Sequence, residues 1–344
     1  GGESASRDLN EFEQTSSLKS PVWCAGVIRW GRISISLTGT PRCAKFHAAS
    51  LPANPPPTTV TMPCIEPVPP KDRLQSGPIT LVTIPIATVA AFAQDPRAGN
   101  LAGVCVLDRE PRDDWMQSVA SVLKHAETAF VWPNGDGFAI TWFTPVCEVA
   151  LCGHATLAAA HVLAAQDRWQ ESIRFTTRSA GPLTCLRDGE RYVLDFPQRP
   201  ARAVVPPPGL EDALGTPYQW VGQNEDDLLV FVDSEETVRQ LQPDLTSLAE
   251  IEVRGVIVTA QARDTDFVSR FFAPRFGVPE DDVTGSAHCA LGPFWATALG
   301  KREMVGFQAS PRGGTVGVRL VGDRCHLLGH AVTCWQGEWL ADSP

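Results

Sequence analysis

The sequence predicts an α+β fold of two pseudo-symmetric domains, each with a central buried helix wrapped by strands. In the segment 141–165, a β-like run ends at Thr144-Pro145, and Cys152-Gly153-His154 leads into a run of Ala and Leu. Small residues and leucine on every side suit a helix that is packed all round. In the segment 281–296, Gly285-Ser286 again precedes an apolar helix. The order of elements also repeats along the chain: strands, a polar turn, a buried helix and further strands.

The first half carries its secondary-structure signals between residues 79 and 197. Asp113 and Asp114 in a first turn, followed by an apolar face, favour an amphipathic helix at 112–124. Asn134-Gly135-Asp136-Gly137 is a strong hairpin signal between two apolar runs. Runs rich in β-branched and aromatic residues predict strands at 79–93, 101–107, 129–132, 138–143, 172–177, 183–187 and 192–196.

The second half repeats this order after a proline-rich crossing at 197–208. Helices are predicted at 234–242 and 285–299. Strands are predicted at 219–222, 227–232, 255–260, 267–272, 315–320, 324–329 and 331–336. We therefore expect a first domain at 78–197 and a second at 198–329, with a strand at about 330–340 returning to the first domain.

The first 77 residues do not have the composition of a folded domain. Nine of the residues from Leu51 through Pro78 are proline, which is typical of a linker. The segment 15–50 mixes apolar and basic residues without a sustained period. We expect residues 1–77 to be a disordered extension or a misannotated start of the gene.

The overall composition is that of a globular protein with two domains. The 344 residues are 43% hydrophobic and 20% charged, and the formal net charge of -10 argues against a nucleic-acid partner. None of the ten cysteines has metal-ligand spacing, and scattered thiols favour a reduced, cytoplasmic protein. The longest apolar runs fall short of the ~20 residues that a membrane helix needs, and we see no signal peptide. Neither a membrane partner nor a metal or other cofactor is expected.

Glu127 and His154 are the first two candidate catalytic residues. Glu127 lies among apolar neighbours at a helix-to-strand junction, where partial burial raises a carboxyl pKa toward the range useful for proton transfer. His154 lies in a first helical turn, where the helix dipole favours the neutral imidazole. The alternative explanations are a solvated acid at a helix end and a histidine satisfied within the core.

Asp281 and Ser286 belong to the second polar turn. Asp281 can orient His154 or hold a substrate amine, and Ser286 can either serve the site or simply cap the helix. Backbone N–H groups at Gly153, Gly285 and Ala287, with that of Ser286, suit a substrate carboxylate.

Asn100 is a further candidate for binding the substrate. With Gly99 it can line the same cleft, although turn chemistry alone also explains these two residues.

Eight motifs cover about 79–339 in order and leave the first 77 residues outside. The motifs are G-N-x-x-x-V-C at 99–105, E-T-A-F at 127–130, W-F-T-P-x-x-E-V-x-L-C-G-H-A-T-L-A at 142–158, L-D-F-P at 194–197, R-G-V-I-V-T-A at 254–260, D-F-V-S-R-F-F-A-P at 266–274, D-x-V-T-G-S-A-H at 281–288 and R-G-G at 312–314. Together these motifs resemble the PhzF-like family, named for the phenazine-biosynthesis isomerase.

The resemblance implies the fold of diaminopimelate epimerase, with a curled, mostly antiparallel sheet around each central helix. It also implies a cofactor-independent isomerase with its site in the cleft between domains and Glu127 as the acid/base. His154, Asp281 and Ser286 match the family's other polar positions. Asp282 departs from the family, which usually has proline there, and His125-Ala126 departs from a commoner serine pattern. These differences concern the substrate more than the fold.

Three functions remain open from the sequence. The leading one is an isomerase that moves a proton within a small carboxylate-bearing metabolite. The second is a two-thiol amino-acid racemase or epimerase, for which Cys152 has only Cys289, one turn into the second helix, as a distant partner. The third is a catalytically silent small-molecule-binding protein. A homodimer is also expected, because proteins similar to this one are often dimeric.

Overall fold

The computed structural model describes residues 27–30, 33–36, 46–48, 82–169 and 171–341. The chain divides into two units, Gly1–Gly77 and Pro78–Pro344. In the first unit, an antiparallel sheet consists of three short strands: β1 (Val27–Trp30), β2 (Ile33–Ser36) and β3 (Phe46–Ala48). The rest of the predicted extension lies outside the described residues, and its disorder stays a prediction.

The first half of the second unit contains the predicted strands and helices in their predicted order, with one unpredicted two-residue strand at Glu148–Val149. Its elements are β4 (Val82–Ala91), β5 (Asn100–Val106), α1 (Asp113–Leu123), β6 (Glu127–Asn134), β7 (Gly137–Phe143), β8 (Glu148–Val149), α2 (Gly153–Ala165), β9 (Ser172–Thr176), β10 (Leu183–Asp188) and β11 (Arg191–Pro197). β5 pairs in parallel with β6 across α1, and β7 pairs in parallel with β9 across α2. The pairs β4–β5, β6–β7, β9–β10 and β10–β11 are antiparallel.

The second half has the same topology. Its elements are β12 (Arg202–Ala203), α3 (Leu210–Leu214), β13 (Trp220–Gln223), β14 (Asp227–Phe231), α4 (Glu235–Gln240), α5 (Leu245–Glu250), β15 (Gly255–Gln261), β16 (Phe267–Phe272), a 3₁₀ turn (Pro274–Phe276), α6 (Gly285–Leu299), β17 (Glu303–Gln308), β18 (Gly314–Val321), β19 (Arg324–Gly329) and β20 (Ala331–Ala341). β14–β15 and β16–β17 are the parallel pairs, and β13–β14, β15–β16, β17–β18 and β18–β19 are antiparallel.

The two halves are joined in two ways: one strand of each half pairs with the other, and a strand that follows the second half in the chain pairs with the first half. β11 of the first half pairs antiparallel with β19 of the second. β12, which follows the first half in the chain, pairs with β13 of the second half, whereas β20, which follows the second half, pairs with β4 of the first. The strand predicted at about 330–340 therefore lies beside the first half, while the domain boundary at 197/198 stays a prediction.

The helices α2 and α6 lie inside this sheet and share one hydrophobic core. Leu157 and Leu163 of α2 are fully buried, as are Ala290 and Leu291 of α6. Both helices are apolar on nearly every side, which explains why they need strands around them. The outer helices α1 and α3–α5 cover two further apolar clusters on the outside of the sheet. No helix within the described ranges has the length and apolarity needed to cross a bilayer.

Candidate active site

Glu127 is the first residue of β6, directly after the turn that ends α1. That turn passes through Lys124, whose left-handed backbone (φ 56°) closes the helix. The Glu127 side chain is 21% exposed and points to the start of α2. Burial raises the pKa of the Glu127 carboxyl, opposed by His154 and assisted by the negative charge of Asp281. A carboxyl whose pKa is raised holds its proton more readily than an ordinary glutamate, which suits a group that both accepts and returns a proton.

His154 is the second residue of α2 and is buried beside Glu127. Its Nε2 lies 3.3 Å from Oε2 of Glu127, and its Nδ1 lies 3.3 Å from Nδ2 of Asn100. Burial lowers the pKa of His154 against the pull of Glu127, so the imidazole is neutral at physiological pH. Because an amide nitrogen can only donate, Nδ1 is assigned as the acceptor and Nε2–H as the donor to Glu127.

Asp281 reaches this pair through Asn100. Asn100 Nδ2 donates to Oδ1 of Asp281 at 2.7 Å and to the carbonyl of Val283 at 3.1 Å. Thr284 Oγ1 donates to the other carboxylate oxygen at 2.6 Å. Burial raises the pKa of Asp281, against these two side-chain bonds. Asn100, predicted only as a lining residue, thus connects the two halves of the site.

The turn that carries Asp281 is held by a buried glutamine that the sequence did not reveal. Gln308 Nε2 donates to the backbone carbonyl of Asp281 at 2.7 Å, and its Oε1 accepts the N–H of Thr284 at 2.8 Å. Gln308 has no exposed surface. A buried amide with both ends bonded fixes the backbone on either side of the Asp281 carboxylate.

The starts of α2 and α6 meet at two glycines. A methyl group on Gly153 would lie 3.8 Å from Cα of Gly285, which is ordinary van der Waals contact, so the two helix starts adjoin each other closely. Neither N-cap residue, Cys152 nor Thr284, uses its side chain to cap its helix. Free N–H groups at two adjoining helix starts favour an anion.

Ser286 is not the N-cap of α6, which was the alternative role that the sequence left open for it; the N-cap is Thr284. Ser286 is the second residue of α6, and its Oγ accepts a hydrogen bond from Nη2 of Arg254 at 3.0 Å. Ala287 is buried, so only its backbone can serve a ligand. Arg254 and its partner Asp227 were not among the sequence candidates. Asp227 is the first residue of the apolar strand β14 and Arg254 directly precedes the apolar strand β15, a signal too common to single them out.

A possible metal-binding group also occurs here. Ligand atoms of Glu127, Cys152 and His154 lie within 4.8 Å of one another. A cysteine, histidine and carboxylate set suits an ion such as Zn²⁺. Burial, followed by the charge of Glu127, raises the pKa of Cys152 well above its ordinary value. Metals bind the thiolate, so an ion at this position would have to displace the thiol proton of Cys152.

Comparison with known proteins identifies the family. The family model for "Phenazine biosynthesis-like protein" matches residues 89–337. The chain belongs to the phenazine biosynthesis-like family. An uncharacterised isomerase of Halalkalibacterium halodurans is 47% identical over 265 residues, which cover 76% of this chain and 100% of the relative. An uncharacterised isomerase of Pseudomonas aeruginosa is 50% identical over 251 residues, covering 73% and 96%.

A solved structure extends the comparison to the fold. A PhzF-family phenazine biosynthesis protein of Enterococcus faecalis has a TM-score of 0.73 and 38% identity, covering 75% of this chain and 99% of that one. Membership of the phenazine biosynthesis-like family confirms the resemblance, the epimerase-like α+β fold and the predicted enzyme class, an isomerase.

Proposed function

We propose that this protein is a cofactor-independent isomerase that moves a proton within a small carboxylate-bearing metabolite, with Glu127 as acid and base. The observation that carries the proposal is the Glu127–His154 pair, 3.3 Å apart at the start of α2. Burial raises the pKa of the Glu127 carboxyl and lowers the pKa of the His154 imidazole. Two groups whose pKa values are moved in this way can share a proton-transfer step.

The proposed reaction has two steps. The Glu127 carboxylate removes a proton from a substrate carbon, and the C–H electrons delocalise into a neighbouring conjugated group as an enol or enamine. The Glu127 carboxyl then returns the proton to a second carbon, which restores the carboxylate. His154 donates to Glu127 from Nε2 and steadies its ionised form.

The charged part of the substrate would lie at the two helix starts. Backbone N–H groups near Gly153 and Gly285 would bind the substrate carboxylate, and the Ser286 hydroxyl would steady the negative charge that develops during proton removal. Asp281, bonded to Asn100 and Thr284, would hold a polar group of the substrate from the second half.

The direct test is exchange of substrate hydrogen in D₂O. A panel of cyclic and amino-carboxylates would first be screened by thermal shift, because ligands that bind the native state raise its melting temperature. Stabilising compounds would then be followed by NMR for loss of a carbon-bound proton and for product. Binding without exchange for every stabilising compound would favour a silent binding protein.

A homodimer, the absence of a nucleic-acid partner and a cytoplasmic location stay predictions.

The pH dependence of exchange is our first prediction. kcat/KM should rise with pH through an apparent pKa above that of an ordinary glutamate, because Glu127 must be ionised. Asp281→Asn should shift this rise of kcat/KM to lower pH, since the charge of Asp281 raises the pKa of Glu127. Initial rates of deuterium wash-in between about pH 4 and 9 measure both effects. If kcat/KM rises at the same pH in Asp281→Asn as in wild type, the assignment of this pH dependence to Glu127 is wrong.

A thiol mechanism is the second candidate, because Cys152 Sγ lies 3.5 Å from Nδ1 of His154. Cys289 is buried in α6, one turn beyond the start of that helix.

Our second prediction is that Cys152→Ser keeps its exchange rate within about tenfold of wild type, because a buried thiol with a raised pKa stays protonated and cannot take a proton from carbon. Exchange measured by NMR decides the matter, with the buried Cys185→Ser as control. A loss as large as that of Glu127→Gln would support the thiol mechanism instead.

A further inference from the structure

The guanidinium of Arg254 contacts Ser286 at the start of α6, and Arg254 has no role in the proton transfer proposed above. It directly precedes β15, and its guanidinium lies 5.7 Å from the ring centroid of Phe271. Nε donates to Oδ1 of Asp227 at 2.9 Å, and Nη2 donates to Oδ2 of the same carboxylate. Asp227 is 2% exposed, so a buried carboxylate holds the plane of the guanidinium in a forked pair.

The same Nη2 reaches Ser286 of α6 at 3.0 Å. A guanidinium has only donors, so the Ser286 oxygen must be the acceptor in this contact. The hydroxyl proton of Ser286 is then left to point elsewhere, and no other side-chain partner of Ser286 occurs among the residues the structure describes. Arg254 thereby makes Ser286 a hydrogen-bond donor.

The pseudo-symmetry of the fold relates the Arg254–Ser286 contact to the Glu127–His154 contact. In the first half, the residue that opens β6 (Glu127) contacts the second residue of α2 (His154). In the second half, the residue just before β15 (Arg254) contacts the second residue of α6 (Ser286). Equivalent positions thus carry an acid and an imidazole in one half, and a cation and a hydroxyl in the other.

We propose that Asp227, Arg254 and Ser286 form a positioning chain in which Arg254 directs the Ser286 O–H toward the negative charge that develops on the substrate. The inference rests on the proposed isomerase function. It assigns the two halves opposite tasks: the first moves the proton, and the second stabilises the electrons left behind. The substrate should therefore place its anionic conjugated group, such as a carboxylate in conjugation with the reacting carbon, against α6.

The kinetic test is a mutant cycle that uses the exchange substrate found in the screen. Ser286→Ala should lower kcat by about 10²-fold, the usual loss for one donor to a developing charge. Arg254→Gln would leave Asp227 buried without its partner, so the pair Arg254→Gln/Asp227→Asn is used. It should lower kcat by about 10- to 100-fold with KM changed by less than about threefold, because the interaction exists mainly in the transition state.

The combination of all three substitutions decides whether Arg254 acts through Ser286. In the Ser286→Ala background, adding Arg254→Gln/Asp227→Asn should lower kcat by less than about a further threefold. The effects of residues that act as one unit do not multiply. Full multiplication of the two losses would overturn the proposal. Arg199→Gln/Asp226→Asn is the matched control: Arg199 is similarly exposed and is paired with Asp226, but it has no contact with Ser286.

A second measurement is independent of catalysis. The thiol introduced by Ser286→Cys should have its apparent pKa lower by about one unit or more than the same thiol in the Arg254→Gln/Asp227→Asn background, because an adjacent cation favours the thiolate. The pH dependence of iodoacetamide labelling, read by mass spectrometry of that peptide, gives both values. Equal values would overturn the contact even if the enzyme is active. A lowered value with no exchange in any compound would instead count against the isomerase function alone.

Discussion

Glu127→Gln should lower substrate exchange and isomerisation by about 10²–10⁴-fold, the range usual for a lost general acid or base. Glutamine keeps the size of the side chain and can still contact His154, but it cannot take a proton from carbon. Deuterium wash-in and product formation, both followed by NMR, measure the loss. Glu110→Gln is the control, because Glu110 is an exposed surface carboxylate that is far less buried than Glu127. Equal exchange in wild type and Glu127→Gln would remove Glu127 from the chemistry.

The same substitution should make the protein more stable at neutral pH. The pKa of Glu127 is raised in the folded state, so its favourable contribution is complete below the unfolded pKa and is lost as pH rises through the folded pKa. Glutamine stays neutral, and we expect it to raise the free energy of unfolding by about 0.5–2 kcal/mol at about pH 7.5. The difference should vanish near pH 4, where wild-type Glu127 is protonated, to within about 0.3 kcal/mol. Urea titrations at the two pH values check this sign.

Arg270→Leu should cause the largest loss of stability, about 3–5 kcal/mol, because it breaks a buried ion pair and leaves one charge without its partner. Arg270 is 8% exposed and donates to both oxygens of Glu280, at 2.7 and 2.8 Å. It also donates to the carbonyl of Leu241 at 2.6 Å and packs on Phe272 at 4.9 Å. The free energy of unfolding from urea titration measures the loss.

Two companion variants separate this effect from a general loss of charge. Arg97→Leu removes an arginine whose side chain is 88% exposed, and its stability should hardly change. Arg270→Leu/Glu280→Leu should recover part of the loss, because it no longer buries an unpaired carboxylate. Glu280 directly precedes Asp281, so Arg270→Leu should also reduce exchange. A stability loss no larger than that of Arg97→Leu would contradict the role of Arg270.

Local sequence signals predicted the parts of the fold that depend on local structure. Gly153 and Gly285 each stand before an apolar run, and the helices α2 and α6 begin at these residues. The amphipathic helix predicted at 112–124 occurs as Asp113–Leu123, since acidic residues at its start and a left-handed residue at its end mark the boundaries. The strand predicted at 331–336 extends to Ala341, because Trp339 and Leu340 continue the pairing with β4.

Long-range contacts of single polar residues were not predictable. Gln308 reaches Asp281 from β17, a strand with no turn signal strong enough to place it beforehand. The short helices α3 and α5, of five and six residues, lack a full apolar period. Asn100 has an obvious local role in a turn, and only the folded chain shows that it joins His154 to Asp281. Such contacts depend on the register of distant strands, which local patterns do not encode.

The exchange of β20 and β12 between the halves also determines when the protein can be completed during synthesis. β4 precedes all the other described strands of this unit in the chain, whereas its partner β20 follows them. Until β20 has been synthesised, one edge of β4 has no native partner, and an open edge is a template for pairing with other chains. We therefore expect the sheet of the first half to be completed only after β20 has been synthesised. We expect this edge of β4 to be protected from pairing with other chains only once β20 lies beside it.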